Sequence, residues 1–111
     1  MSLTFEQFSE INRARCRAWM GEADTVEHHL IGLVGEVGEL CNEWKKEDRV
    51  AHNRPGSPPC ALRRDMGNEL ADVIIYCDLV AKHYEIDLEE ALISKFNATS
   101  ERYGFPHRLP S

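Results

Sequence analysis

No run of apolar residues in this 111-residue chain reaches the roughly 18 that a membrane span needs. No charged-then-apolar leader opens it. None of its four cysteines, Cys16, Cys41, Cys60 and Cys77, stands in a C-x-x-C pair, and three of them fall inside helical patterns as small apolar residues. Positive charge is not in excess: the formal net charge of -6 argues against broad, non-specific binding of nucleic acid. Convincing alternation of the strand type is lacking, as is any repeat of solenoid length. These absences lead us to expect a reduced, soluble, cytoplasmic protein that takes neither a membrane nor a nucleic-acid polymer as partner.

What the chain does contain is helical patterning, and the expected fold class is all-α. Thr4 and Gln7 form a capping box for a first helix that should stop near Met20 and Gly21. Phe5, Phe8, Ile11 and Cys16 would supply its apolar stripe, and Arg13, Arg15 and Arg17 a solvated face. Asp24 and Glu27 read as a second capping box, opening a long helix over Thr25 to Asp48. Leu30, Leu33, Val34, Val37, Leu40, Cys41 and Trp44 share one broad face of it. Gly32, Gly35 and Gly38 lie along another side, which implies the close approach of a second helix or of a ligand. The prolines and glycine of HNRPGSPP then break the pattern, and a mobile loop is expected over about residues 49–60. A third helix, about Ala61 to Tyr84, is apolar around most of its circumference, as at a bundle centre or a subunit interface. Asp87 and Glu90 open a fourth, over Leu88 to Tyr103, which Gly104 and Pro106 end. Residues 1–111 are most simply one domain, completed by assembly of copies.

Two acidic pairs interrupt this apolar patterning. Glu36 and Glu39 are three apart on the second helix, and Glu43 extends their stripe. Glu69 and Asp72 repeat the spacing on the third, on a stripe shared with Asp65 and Tyr76. Burying such carboxylates together costs several kcal/mol unless something neutralises them, and a divalent cation would. An oxygen-only donor set favours Mg²⁺ or Mn²⁺ over Zn²⁺. A diiron centre would require Glu-x-x-His pairs, and neither Glu36 nor Glu69 has a histidine three residues on. Mg²⁺ on a few carboxylates accepts phosphates, so a phosphate ester or anhydride is the expected ligand and metal-assisted hydrolysis the expected reaction.

GLVGEVGEL, followed after a loop by ELADVIIYCDLVA, resembles the MazG-like all-α nucleotide pyrophosphohydrolases, and most closely the small dCTP pyrophosphatase branch. The tail KFNATSERYGFPHRL adds to the likeness, which runs from about His28 to Leu109. The resemblance implies a four-helix-bundle-like fold that assembles as a homo-dimer or homo-tetramer. It implies Mg²⁺-dependent hydrolysis of a nucleoside triphosphate to the monophosphate and pyrophosphate, in nucleotide-pool house-cleaning. By motif, Glu36, Glu39, Glu69 and Asp72 would hold the metal, with Glu39 or Glu36 activating water. Tyr76 and Trp19 match aromatics of the base pocket. Lys95 matches a lysine near the phosphates, and Asn97 and Arg102 are further candidates for contacting substrate.

The match has departures. Trp44 comes slightly earlier than the tryptophan that follows the first motif in that branch. Thr99 stands where an asparagine is expected one turn after Lys95. Both bear on base specificity. A phosphoribosyl-ATP or dUTP/dUDP hydrolase of the same superfamily is an alternative, as is a non-catalytic helical module that binds a nucleotide or a partner.

Overall fold

The computed structural model describes residues 2–53 and 60–111. Helix α1 covers Phe5–Met20, and a 3₁₀ turn follows at Gly21–Ala23. Helix α2 covers Val26–Asn53, α3 covers Cys60–His83 and α4 covers Leu88–Tyr103. Among the described residues there is no strand, so the protein is all-α as expected.

Local chemistry accounts for most of the helix ends. The Thr4 hydroxyl accepts the Gln7 N–H at 3.1 Å, and the Gln7 side chain accepts the Thr4 N–H at 3.0 Å. Gly21 ends α1 with φ 52, and Gly104 ends α4 in the left-handed region with φ 73. Asp87 caps α4 through the Glu90 N–H at 3.1 Å. Two expectations are corrected. Thr25, rather than Asp24, caps α2, its hydroxyl accepting the His28 N–H at 3.4 Å. Helix α2 also runs five residues past Asp48, to Asn53, so the helix occupies the first part of the segment expected to be loop. The rest of that expected mobile loop, residues 54–59, lies outside the described residues.

Helices α2 and α3 form the main pairing. Gly32 meets Tyr76, and Glu36 meets Asp72 and Glu69, so the two run antiparallel. Helix α1 packs on α3, whereas α4 makes only sparse contact with the other helices. The face that α1 turns to α3 differs from the apolar stripe read from sequence. It is a polar seam built on Asp78, which is completely buried. The Ser9 hydroxyl donates to Asp78 Oδ1 at 2.7 Å, Asn12 Nδ2 donates to Oδ2 at 3.0 Å, and Arg13 lies 3.6 Å away. Asn12 Nδ2 also reaches the Ile75 carbonyl at 3.1 Å. Arg13 therefore belongs to the seam and not to a solvated face. Ile11, assigned to the apolar stripe, is exposed.

A single chain leaves much apolar surface uncovered. Val34 and Ile31 on α2, Leu70 and Ile74 on α3, and Leu92 and Phe96 on α4 are all exposed, as is Trp44. Fully buried apolar residues are few: Cys16, Leu79 and Ala81 among those described. The accessible surface is 8527 Å², against roughly 6,200 Å² for a compact monomer of this mass. The radius of gyration is 17.3 Å, against about 13 Å for a compact chain of this length.

Candidate functional site

Antiparallel packing of α2 on α3 turns two acidic motifs toward each other. Oxygen atoms of Glu36, Glu69 and Asp72 all lie within 4.8 Å of one another, and all three residues are half-buried. Their conflict is visible in the protonation of Glu36. Its carboxyl is pushed up to about 7, first by a hydrogen bond shared with Glu69, then by burial and by the charges of Asp72, Glu69 and Glu39. Glu69 Oε2 is buried with no hydrogen-bond partner. An oxygen-only trio with an orphaned buried acceptor and a forced proton is a donor set that a hard divalent cation satisfies. Glu39, one turn after Glu36, is exposed and stands outside this trio, near enough for its charge to raise Glu36. Glu43, a further turn along, is buried. Lys46 donates to its Oε1 at 3.0 Å, while its Oε2 has no partner.

Glu36 and Asp72 form part of the wall of a cavity of about 260 Å³ between α1, α2 and α3. Tyr76 lines it one turn along α3 from Asp72, and Trp19 of α1 lines it with its ring mostly exposed. Tyr76 reaches this position because residue 32 is glycine: a Cβ there would stand 2.4 Å from Tyr76 Cε1. Among the described residues, nothing outside the local helix backbone lies within 4 Å of a Cβ placed at Gly35 or Gly38, whereas Gly32 has a close neighbour in Tyr76. The remaining wall includes Asn12, Arg15, Cys16 and His29. None of these four is among the site candidates read from the sequence, and Arg15 was expected on a solvated face.

The α4 candidates are not brought to this cavity within one chain. Lys95 is exposed on a separate apolar groove with Leu92, Phe96 and Phe105. Asn97 is engaged with the C-terminal segment, donating to the Leu109 carbonyl at 2.9 Å and accepting the Leu109 N–H at 2.7 Å. The Arg102 guanidinium lies over the Tyr103 ring, 5.2 Å from its centroid.

A second polar cluster adjoins the cavity through His29 and Cys16, which line it. Asp24, not needed as a helix cap, accepts hydrogen bonds from His29 Nε2 at 2.5 Å and His83 Nε2 at 3.0 Å, and pairs with Lys82. Burial alone would raise its carboxyl. The hydrogen bonds from Lys82, His29, His83 and Cys16 outweigh that and hold it well below the usual carboxylate range. Burial, followed by the Asp24 charge, pushes the Cys16 thiol up.

No helix among the described residues is long and apolar enough to cross a membrane. No family model matches the chain. Among curated proteins, mouse dCTP pyrophosphatase 1 is 38% identical over 76 residues, which is 67% of this chain and 43% of the relative. The human protein of the same name is 36% identical over 78 residues, with the same coverage. The cattle protein is 33% identical over 76 residues. The chain thus spans less than half the length of the relatives it matches. By this kinship and by its all-α architecture, the chain belongs to the MazG-like family, alongside dCTP pyrophosphatase 1.

Proposed function

We propose that this protein hydrolyses a nucleoside triphosphate to the monophosphate and pyrophosphate with the help of a divalent cation, Mg²⁺ or Mn²⁺. The carrying observation is the convergence of Glu36, Glu69 and Asp72 at the wall of a cavity that also holds Tyr76 and Trp19. When bound, the cation would neutralise the carboxylates and polarise the phosphates. Glu36, Glu69 and Asp72 would hold it, with Glu39 at the rim as a fourth ligand. Glu36 or Glu39, freed of its proton, accepts one from the attacking water, whose oxygen ends on the phosphorus as the α,β-anhydride bond breaks. Pyrophosphate leaves with the electrons of that bond. Tyr76 and Trp19 offer aromatic surface for a base.

The relatives' name supports dCTP, or a modified deoxynucleotide, as the substrate to try first, and a role in clearing the nucleotide pool. The protein works as a homo-oligomer in this reading. The surface in excess of a compact monomer, roughly 2,300 Å² per chain and so roughly 4,600 Å² over two copies, falls within what an obligate homodimer interface buries. Lys95, Asn97 and Arg102 would then approach the phosphates from a second copy. Incubation with a panel of canonical and modified nucleotides, with detection of pyrophosphate, tests the reaction. Pyrophosphate released from at least one deoxynucleotide, dependent on Mg²⁺ or Mn²⁺, is the expected outcome. No release from any would remove the assignment.

A further inference from the structure

The carboxylate trio leaves unused the cluster that adjoins the cavity through Cys16 and His29, whose chemistry is of another kind. Cys16 Sγ, an Asp24 carboxylate oxygen and a His29 ring nitrogen all lie within 4.8 Å of one another. Cys16 and His29 are buried, and the Asp24 side chain is 10% exposed. The donors come from three separate elements: Cys16 from α1, Asp24 from the residues after the 3₁₀ turn, and His29 from α2. His83, from the end of α3, stands outside this trio but offers a second nitrogen, as a fourth donor, 3.0 Å from the same Asp24 oxygen that faces His29. We propose that Cys16, Asp24, His29 and His83 form a second metal site, separate from the carboxylate trio and suited to a borderline transition metal such as Zn²⁺.

The donor set is the first reason. One thiolate, two imidazoles and one carboxylate is a combination that zinc accepts and Mg²⁺ does not. Spacing is the second. Bonds of about 2.0–2.3 Å in a tetrahedron place neighbouring donors about 3.2–3.7 Å apart. Cys16 Sγ and His29 Nε2 are already 3.6 Å apart. The Asp24 contacts, at 2.5 and 3.0 Å, are shorter because hydrogen bonds hold them and need to open by about 1 Å, while His83, which stands outside the group of donors mutually within 4.8 Å, needs to close by about 1 Å or more to complete the tetrahedron. The position of Lys82 is the third. It pairs with Asp24 Oδ2, whereas both histidines meet Oδ1. An ion bound at Oδ1 leaves Lys82 in place as an outer partner that orients the carboxylate.

Binding involves no redox change. The Cys16 thiol gives its proton to solvent, each histidine turns its Nε2 lone pair to the ion with its proton on Nδ1, and the two N–H···O bonds to Asp24 are replaced by metal–ligand bonds. Because Cys16 and His29 also line the cavity, an occupied site would alter the polarity of its wall.

Co²⁺ titration of the reduced, metal-free protein tests the site, since thiolate ligation gives a sulfur-to-cobalt charge-transfer band in the near ultraviolet and carboxylates do not. A variant with Cys41, Cys60 and Cys77 all replaced by serine keeps Cys16 as the only thiol. It should show the band at about one equivalent per chain, and Zn²⁺ should abolish it. The band should persist in Glu36→Gln, be lost in Cys16→Ser and be lost or shifted in His29→Ala, with helix content followed by circular dichroism. Absence of the band in the variant that keeps only Cys16 would overturn the proposal, whatever the other variants do. So would its persistence in Cys16→Ser.

Discussion

The ring of Tyr76 occupies the space that a side chain at residue 32 would fill, and this contact sets the distance between α2 and α3 beside the carboxylate trio. Gly32→Ala would gain up to about 1 kcal/mol of helix propensity. It would also force the Tyr76 ring away, at a cost of about 1–3 kcal/mol. The expected net effect is a destabilisation of about 1 kcal/mol, read by thermal or urea unfolding. The KM for nucleotide should rise more than kcat falls, because Tyr76 lines the cavity.

Asp78 supports a different prediction. It is a fully buried carboxylate whose compensation comes mainly from α1. Removing a donor leaves a buried charge without its partner, which typically costs several kcal/mol. Asn12→Ala should destabilise by about 2–4 kcal/mol. Ser9→Ala, which removes a single hydroxyl, should cost about 1–2 kcal/mol. Denaturant unfolding of both variants checks the order.

The pH dependence of stability follows from Glu36. Its carboxyl is raised in the folded state from an ordinary 4.5 to about 7. Between those values the folded protein holds a proton that the unfolded chain has released, so stability falls as pH rises from about 4.5 to about 7. The metal-free protein should therefore melt at a lower temperature at pH 8 than at pH 5.5. Mg²⁺ should recover more stability at pH 8, where no proton competes for the site. Glu36→Gln should flatten this limb. Melting curves with EDTA and with Mg²⁺ at the two pH values measure it.

Asp24 acts in the opposite direction. Its carboxyl is held below the usual range, so its contribution is present above about pH 4 and is lost as pH falls further. Asp24→Asn should destabilise by about 2–4 kcal/mol near neutrality, by removing a hub that ties α2 to α3. It should also weaken the acid limb of the stability curve, which acid titration of the unfolding transition reads.

How much of this was legible in the sequence follows from the range of each interaction. Thr4 with Gln7, Asp87, Gly21 and Gly104 act on their own neighbours, and the helix ends they mark were read correctly. The acidic motifs were visible as pairs on one helix face each, but their spacing did not show that Glu39 stands outside the trio of Glu36, Glu69 and Asp72. Asp24 was not legible, because Asp24 and Thr25 are both good caps and only the tertiary partners Lys82 and His83 decide which one is used. The Asn12–Asp78 seam joins residues 66 apart, and helical periodicity carries no sign of such a pairing. Val34 and Trp44 were read as part of one broad apolar face, yet a single chain leaves them exposed, because local pattern does not say what packs against such a face.

The oligomer prediction concerns that uncovered surface. Light scattering on the eluting peak of a sizing column should give the mass of two or four chains, not one. Val34→Glu together with Ile74→Glu, on faces exposed in the single chain, should shift the mass toward the monomer.

If Glu36, Glu69 and Asp72 hold a divalent cation used for hydrolysis, removing one of these carboxylates must remove the metal-dependent turnover. Pyrophosphate release from the best nucleotide of the panel is followed with Mg²⁺, for the wild-type protein and for Asp72→Asn. Circular dichroism reports that the fold is kept. Mg²⁺-dependent turnover in the wild type and a loss of at least about 100-fold in Asp72→Asn are expected. Turnover that persists in Asp72→Asn with unchanged dependence on Mg²⁺ would contradict this role of the trio.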